Sequence, residues 1–521
     1  MLRRMSADDL RLYAEKAMFS LSDEEVPEYA ILAEEIFASL DPLLETDAVS
    51  SEKRARSPGE PSSASDDPLN AVIRWCSIKD VEKGLLAGKR VGLKDNMAVA
   101  GVPMTCGSRI LDGYRPQRDC IVAERLLAAG AEIVAKLNMD NFAWSGSGET
   151  SDFGPILNPH DRTRTAGGSS SGSAAALYYK DIDITFGTDQ GGSIRLPAAW
   201  CGTLGLKPTY GLIPYSGIGS LDPTYDHCGP LTRSVMDLAL ALQVTAGEDE
   251  SDPRQCGIPL DDYVRAVEEA TDDLRGMRLG ILKESFGFAV PGAPEGTRET
   301  MDAAQEVVGQ LVDLGAEVVE LSVPEHLSGA GMMFATLAEG QTALFYGFGN
   351  GYHRRGRYDE HFGAALGKAL GGRSNELPPS LKNALLFGHY LHDEYFSALY
   401  AKAQHLAPRL RAAYDRVFEE VDLLVMPTAT HYARVYEPNA SIVDRVRRGY
   451  SMIGNTAIFD ATGHPALSMP AAEADGLPVG VMLVGPQFAD GSLLRTARTY
   501  ELAHGWKPRD TSSPARRQVP P

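Results

Sequence analysis

No stretch of this 521-residue sequence approaches the roughly 20 consecutive apolar residues that a membrane-spanning helix requires, so no membrane partner is expected. Basic charge is also in short supply: 50 Lys and Arg face 70 Asp and Glu, for a formal net charge of -20. That balance repels a phosphate backbone and speaks against nucleic acid as a partner. Cysteine is sparse and scattered. Cys76, Cys106, Cys120, Cys201, Cys228 and Cys256 form no CxxC pair, so neither a zinc site nor a disulfide framework is suggested, and the six read as thiols in a reducing compartment. Acids at Asp8 and Asp9 stand where a secretory signal would need an apolar run, and the expected location is the cytoplasm.

What is present is ordinary globular composition, 43% hydrophobic and 23% charged. The length exceeds the usual ceiling for one hydrophobic core, which predicts a large domain with a smaller piece attached. Residues 7 to 45 carry apolar side chains at helical spacing (Leu10, Leu12, Tyr13, Met18, then Tyr29, Leu32, Ile36, Leu40), predicting an α-helical unit over 1–49. This unit is expected to pack on the main domain or on a partner protomer. Residues 50–68, SSEKRARSPGEPSSASDDP, are polar and rich in Ser and Pro and read as a linker. A domain over 69–509 follows, and the tail 510–521 reads as disordered.

Within 69–509, short apolar runs alternate with helical ones: GKRVGLKD, then CIVAERLLAAG, then AEIVAKLN, and again RLGILKES, a helix through about 313, and AEVVELSVP. This βαβ alternation predicts an α/β fold with a mixed or parallel sheet covered by helices. Residues 330 to 420 are helical in pattern, and DLLVMPT and GLPVGVMLVG return as strands.

The most informative stretch is AGGSSSGSAAALYYKDIDITFGTDQGGSIR, residues 166–195. A flexible linker would show such glycine and serine density, but this run leads into a helix start, then a strand-like IDITFG, then a tight turn ending on Ser193. It contains neither GxxxxGK[ST] nor GxGxxG, which weighs against a phosphate cradle, and no GxSxG surrounds Ser169 or Ser193. A serine nucleophile needs a base. His227 is the nearest histidine but reads as a loop or core residue; a lysine can serve if burial keeps it neutral, and Lys94 follows a predicted strand. Taken alone, a lysine is more often exposed. His389 and His392, spaced HxxH, have no acidic third ligand and suggest no metal.

Together these segments resemble the amidase signature family. The loop Gly167 to Ser173 is similar to the family's glycine–serine loop, Thr188 to Arg195 to its TDxGGSIR turn, and Lys94 in GLKDN to its strand-end lysine. GETSDFGPILNPHD, PAAWCGTLGLKPTYG, DHCGPLTRS, DLLVMPT and TGHPALSMPA extend the likeness over about residues 70 to 500. Ser171 departs from it, standing where the commonest family loop has glycine.

The resemblance implies a large mixed, mostly parallel central sheet covered by helices on both faces, and an amidase that cleaves a carboxamide without metal or organic cofactor. Ser193 would be the nucleophile, Ser169 the bridging serine after a cis peptide, and Lys94 the base. Backbone amides of Gln190, Gly191, Gly192 and Ser193 would form the oxyanion hole. Ser170, Asp189 and Arg195 would brace the loop, with Asp189 and Arg195 as a buried pair. Trp144 occupies the acyl-pocket position, with Ser145 and Ile453 as further substrate contacts, favouring an apolar or aromatic acyl group. The N-terminal extension, linker and TGHPALSMPA segment resemble nitrile-pathway amidases, and by analogy a homodimer is expected. Two alternatives stand: the glutamine-hydrolysing component of an aminoacyl-tRNA amidotransferase, and a non-catalytic binding protein with an amidase fold.

Overall fold

Short apolar runs separated by helices build a twelve-stranded sheet in the computed structural model, which describes residues 1–44, 46, 56–286, 298–353 and 355–506. Its first strands are β1 (Glu60–Pro61), β2 (Val72–Ile78), β3 (Arg90–Lys94) and β4 (Glu132–Leu137). Then come β5 (Ile184–Asp189), β6 (Leu204–Lys207), β7 (His227–Thr232) and β8 (Arg278–Leu282). The last four are β9 (Glu317–Leu321), β10 (Leu423–Pro427), β11 (Ala466–Ala474) and β12 (Leu477–Val484). Across the sheet the order is β1-β2-β4-β3-β5-β7-β6-β11-β12-β10-β8-β9.

The α/β class and the mixed, helix-covered sheet agree with the sequence pattern, but the expected parallel majority does not hold. Among the described residues seven strand pairings are antiparallel and four are parallel. The parallel pairs are those the βαβ alternation reveals. Four of the antiparallel pairings involve β6, β7 and β11, which hide inside motif segments whose glycines, prolines and polar residues mask the strand signal; the other three join β1 to β2, β2 to β4 and β10 to β12. β11 and β12 are joined by Asp475-Gly476, both at positive φ (51° and 75°), as a two-residue hairpin of this type demands.

One βαβ unit positions the site. β3 runs into the helix Ile121–Ala128, which Gly130 terminates at φ 88° while the Gly130 and Ala131 amides bond back to Leu127 and Leu126 carbonyls. β4 then returns parallel to β3, and β5 lies parallel on the other side of β3. The carboxyl ends of β3 and β5 therefore come together, the usual place for a site in such a sheet.

The chain divides into two compact units, Met1–Lys53 and Arg54–Pro521. The first contains helices Ala7–Lys16, opened by a Ser6/Asp9 capping box, and Glu25–Leu44. Part of the expected linker belongs to the second unit instead. Glu60–Pro61 pairs with β2, and the buried Asp67 accepts the amides of Ala71 and Val72 at 2.8 Å and the Tyr179 hydroxyl at 2.6 Å. Ser and Asp in this stretch cap local turns, a use that composition alone does not separate from a linker. The tail 510–521 lies outside the described residues. Among the described residues no helix is long and apolar enough to cross a membrane.

Candidate active site

Lys94 closes β3 with its side chain fully buried. Its Nζ lies 2.7 Å from Ser169 Oγ and 2.8 Å from Thr188 Oγ1. Nζ also lies 3.4 Å from the Thr188 carbonyl oxygen, so all three partners are uncharged; the aspartates that act on it, Asp140 and Asp189, do so without a hydrogen bond. Burial therefore dominates and pushes the Lys94 pKa down to about 7, with the two aspartates resisting. Close to neutrality a large fraction of this amine is uncharged and able to accept a proton.

Lys136, near the end of β4, shows what a structural buried lysine looks like in the same sheet. It pairs with Asp95 at 3.5 Å and donates to the Met97 carbonyl. Sequence offers no means of separating the two strand-end lysines; the acid beside Lys136 and the hydroxyls beside Lys94 do.

Ser169 follows a cis Gly168–Ser169 peptide. Gly168 admits no side chain, because a Cβ there would come within 2.0 Å of Asp140 Oδ2. Asp140 in turn accepts the amides of Gly148 and Thr150 at 2.9 Å and the Thr150 hydroxyl at 2.8 Å. Burial raises the Asp140 pKa to about 6 against those bonds. Ser170 ties the loop to β5: its Oγ donates to the Thr188 carbonyl at 3.1 Å and accepts the Thr188 amide at 3.2 Å, while its own amide donates to the Ser193 carbonyl at 3.1 Å. Ser171 opens the helix Ser171–Ala175, and its buried hydroxyl has no hydrogen-bond partner among the described residues.

The turn after β5 is organised by Asp189, which accepts the amides of Gly192 at 2.5 Å and Ile194 at 3.0 Å and takes the Arg195 guanidinium through two bonds of 2.9 Å. Burial alone would raise its pKa, but Arg195 outweighs this and holds the carboxyl below the usual range. Arg195 also bonds Asp460 at 2.8 Å, a partner with no local signal in the sequence. The bond to Asp189 corrects the expectation for Gly192: its N–H is committed to a carboxylate and is not available to an oxyanion. The amides of Gln190, Gly191 and Ser193 make no hydrogen bond among the described residues. Gly192, at φ 126°, could carry no Cβ, which would meet Thr456 Oγ1 at 2.4 Å. The Gln190 side chain is held by Tyr215 and Asp226, each at 2.9 Å.

Ser193, Trp144, Ser145 and Ile453 all line one small cavity of about 40 Å³. The remaining walls include Leu221, Tyr450, and Met333 and Leu337 from the helix Gly329–Tyr346. Met333 and Leu337 escaped the sequence reading because nothing in a helical apolar pattern marks which residue faces a cavity. No side chain of the described lining is charged. His227 lies apart from this arrangement in a buried polar cluster, 2.8 Å from the Tyr225 carbonyl and 3.3 Å from Asp460, with its pKa driven down by burial. Among the described residues no group of three His, Cys, Asp or Glu side chains could hold a metal.

The sequence matches the Amidase family over residues 76–494, most of the chain. The chain belongs to the amidase signature family. A glutamyl-tRNA(Gln) amidotransferase component from Chloroflexus aggregans is 37% identical over 432 residues, 81% of this chain and 84% of that protein. An enantioselective amidase from Rhodococcus rhodochrous is 36% identical over 453 residues, 85% of this chain and 84% of that one. Among solved structures, the native peptide amidase from Stenotrophomonas maltophilia superposes with a TM-score of 0.69 at 27% identity, covering 86% of this chain and 92% of its own. As a member of this family the protein is an amide C–N hydrolase.

Proposed function

We propose that this amidase hydrolyses a carboxamide bearing a small apolar acyl group, through an acyl-enzyme on Ser193. Neutral Lys94 takes a proton from Ser169 as Ser169 takes one from Ser193, and Ser193 Oγ attacks the amide carbon. Charge developing on the carbonyl oxygen is met by the amides of Gln190, Gly191 and Ser193. The proton returns through Ser169 to the leaving nitrogen, the C–N bond breaks, and water repeats the sequence to release the acid. The observation that carries this reading is the 2.7 Å contact between Ser169 and a fully buried lysine whose pKa burial brings to about 7. Five buried cysteines and one exposed, with no disulfide among the described residues, are consistent with a cytoplasmic enzyme. A homodimer is part of the same reading, checked by light scattering.

The small, uncharged cavity supports the acyl preference. A second reading, glutamine hydrolysis for a tRNA-dependent amidotransferase, is favoured by the likeness to the Chloroflexus aggregans protein. Glutamine, however, brings an ammonium and a carboxylate that need counter-charges, and the described cavity lining holds none. Ammonia release from propionamide, hexanamide, benzamide and glutamine, with wild type beside Ser193→Ala and Lys94→Ala, tests both. Alkyl or aryl amide turnover lost in both variants supports the proposal. Turnover of glutamine alone replaces it with the second reading, and activity surviving in Ser193→Ala removes the nucleophile assignment.

A further inference from the structure

A second and larger cavity, about 690 Å³, lies between the helices Gly329–Tyr346 and Pro379–Tyr395 and is closed by residues 222–224 and Tyr400. The two helices touch closely at Gly388, where a Cβ would meet Thr342 Oγ1 at 2.0 Å. Glu339 lines this cavity although only 6% of its surface is exposed, and neither of its carboxylate oxygens has a hydrogen-bond partner among the described residues. A buried carboxylate without donor or counter-charge is unfavourable unless something else supplies one.

Asp222 stands against the next helix position, so close that a Cβ on Gly340 would lie 2.0 Å from its Oδ2. Its Oδ1 is occupied by the Thr224 amide and hydroxyl at 2.8 and 2.6 Å, but Oδ2 receives only the Tyr400 hydroxyl at 3.1 Å among the described residues. The described lining contains no lysine or arginine. Aromatic rings complete it: Tyr346 and Tyr352 are 57% and 67% exposed at the rim, with the His389 ring edge-on to Tyr346 at 4.7 Å.

We propose that this cavity binds an organic ammonium ion, its charge met by the unpartnered Glu339 carboxylate and its substituents by the tyrosine rims. Tyrosine faces attract ammonium groups, and the volume suits a small organic molecule rather than a bare ion. Among the described residues no three His, Cys, Asp or Glu side chains are placed to chelate a metal, which separates this chemistry from a metal site. The site is distinct from the acyl cavity, which takes Met333 and Leu337 from the same helix. It therefore does not depend on the proposed substrate.

Titration calorimetry of the full-length protein at pH 8 with benzylammonium chloride, and with the neutral benzyl alcohol as control, tests the proposal. Saturable binding of the cation alone is expected, weakened about tenfold or more in Glu339→Gln and several-fold in Tyr352→Ala, and unchanged in Ser193→Ala. Tyr352 is exposed, so that variant remains informative even if Glu339→Gln fails to fold. Absence of saturable binding to the wild type, equal affinity for the alcohol, or loss of binding in Ser193→Ala would overturn the assignment.

Discussion

Protonation of Lys94 should set the acid limb of turnover. Its partners are uncharged oxygens, so burial is opposed chiefly by Asp140 and Asp189, which make no hydrogen bond to it, and the amine titrates near 7 rather than at its ordinary 10.5. Only the neutral amine can accept the Ser169 proton. kcat/KM is therefore expected to rise about tenfold per pH unit up to about 7 and to level above it, so that the rate at pH 5 is about a hundredth of the plateau. Ammonia release measured from pH 5 to 9 reads this directly. Asp140 also titrates in this range, near 6, which requires a second handle. Because Asp140 favours the charged lysine, Asp140→Asn should move the inflection to lower pH, and Lys94→Arg, always charged, should abolish the plateau. A profile that stays flat from pH 5.5 to 8.5, or an inflection that moves upward in Asp140→Asn, would refute the assignment of Lys94 as base.

The same displacement has a stability consequence. Moving a lysine from 10.5 to about 7 by burial disfavours its charged form by roughly 5 kcal/mol, at about 1.4 kcal/mol per decade. A base whose folded pKa is depressed destabilises the fold fully below the folded value, and the penalty fades as pH rises toward the unfolded value. Lys94→Met should thus be inactive yet more stable than wild type at pH 7, with the advantage shrinking toward pH 10 in urea unfolding; the lost bonds to Ser169 and Thr188 reduce its size. Asp189→Asn breaks one partner of a buried pair and loosens the turn at Gly192 and Ile194, so a loss of about 3 to 5 kcal/mol is expected in chemical denaturation, together with loss of activity. Trp144→Ala should enlarge the acyl cavity and raise the hexanamide-to-propionamide ratio of kcat/KM by about tenfold, read from competitive ammonia release.

Where function and local pattern coincide, the sequence was already informative. The strands ending in Lys94 and Asp189 stand out as apolar runs, and the serine loop between them could only be a turn set in regular structure. The Asp189–Arg195 pair was expected from the resemblance of the Thr188 to Arg195 turn to the family's, and the structure forms it. Long-range contacts left no such mark. Asp460, the second carboxylate on Arg195, comes from 265 residues away in sequence. Met333 and Leu337 reach the cavity from a helix whose apolar pattern names a buried face without naming what it faces. The commitment of the Gly192 amide to Asp189 could not be read either, because an oxyanion donor and a turn-bracing donor use the same N–H. The parallel majority failed for a different reason: β6, β7 and β11 pair antiparallel at the centre of the sheet while carrying glycine, proline and buried polar residues.

Peptide mapping after reaction with a fluorophosphonate probes the central claim most directly, since only an activated serine is labelled. A single adduct on Ser193, formed more slowly as pH falls below 7 and absent in Lys94→Met, is the predicted result. An adduct on another serine, or none in an enzyme that turns over amides, would contradict the acyl-enzyme on Ser193.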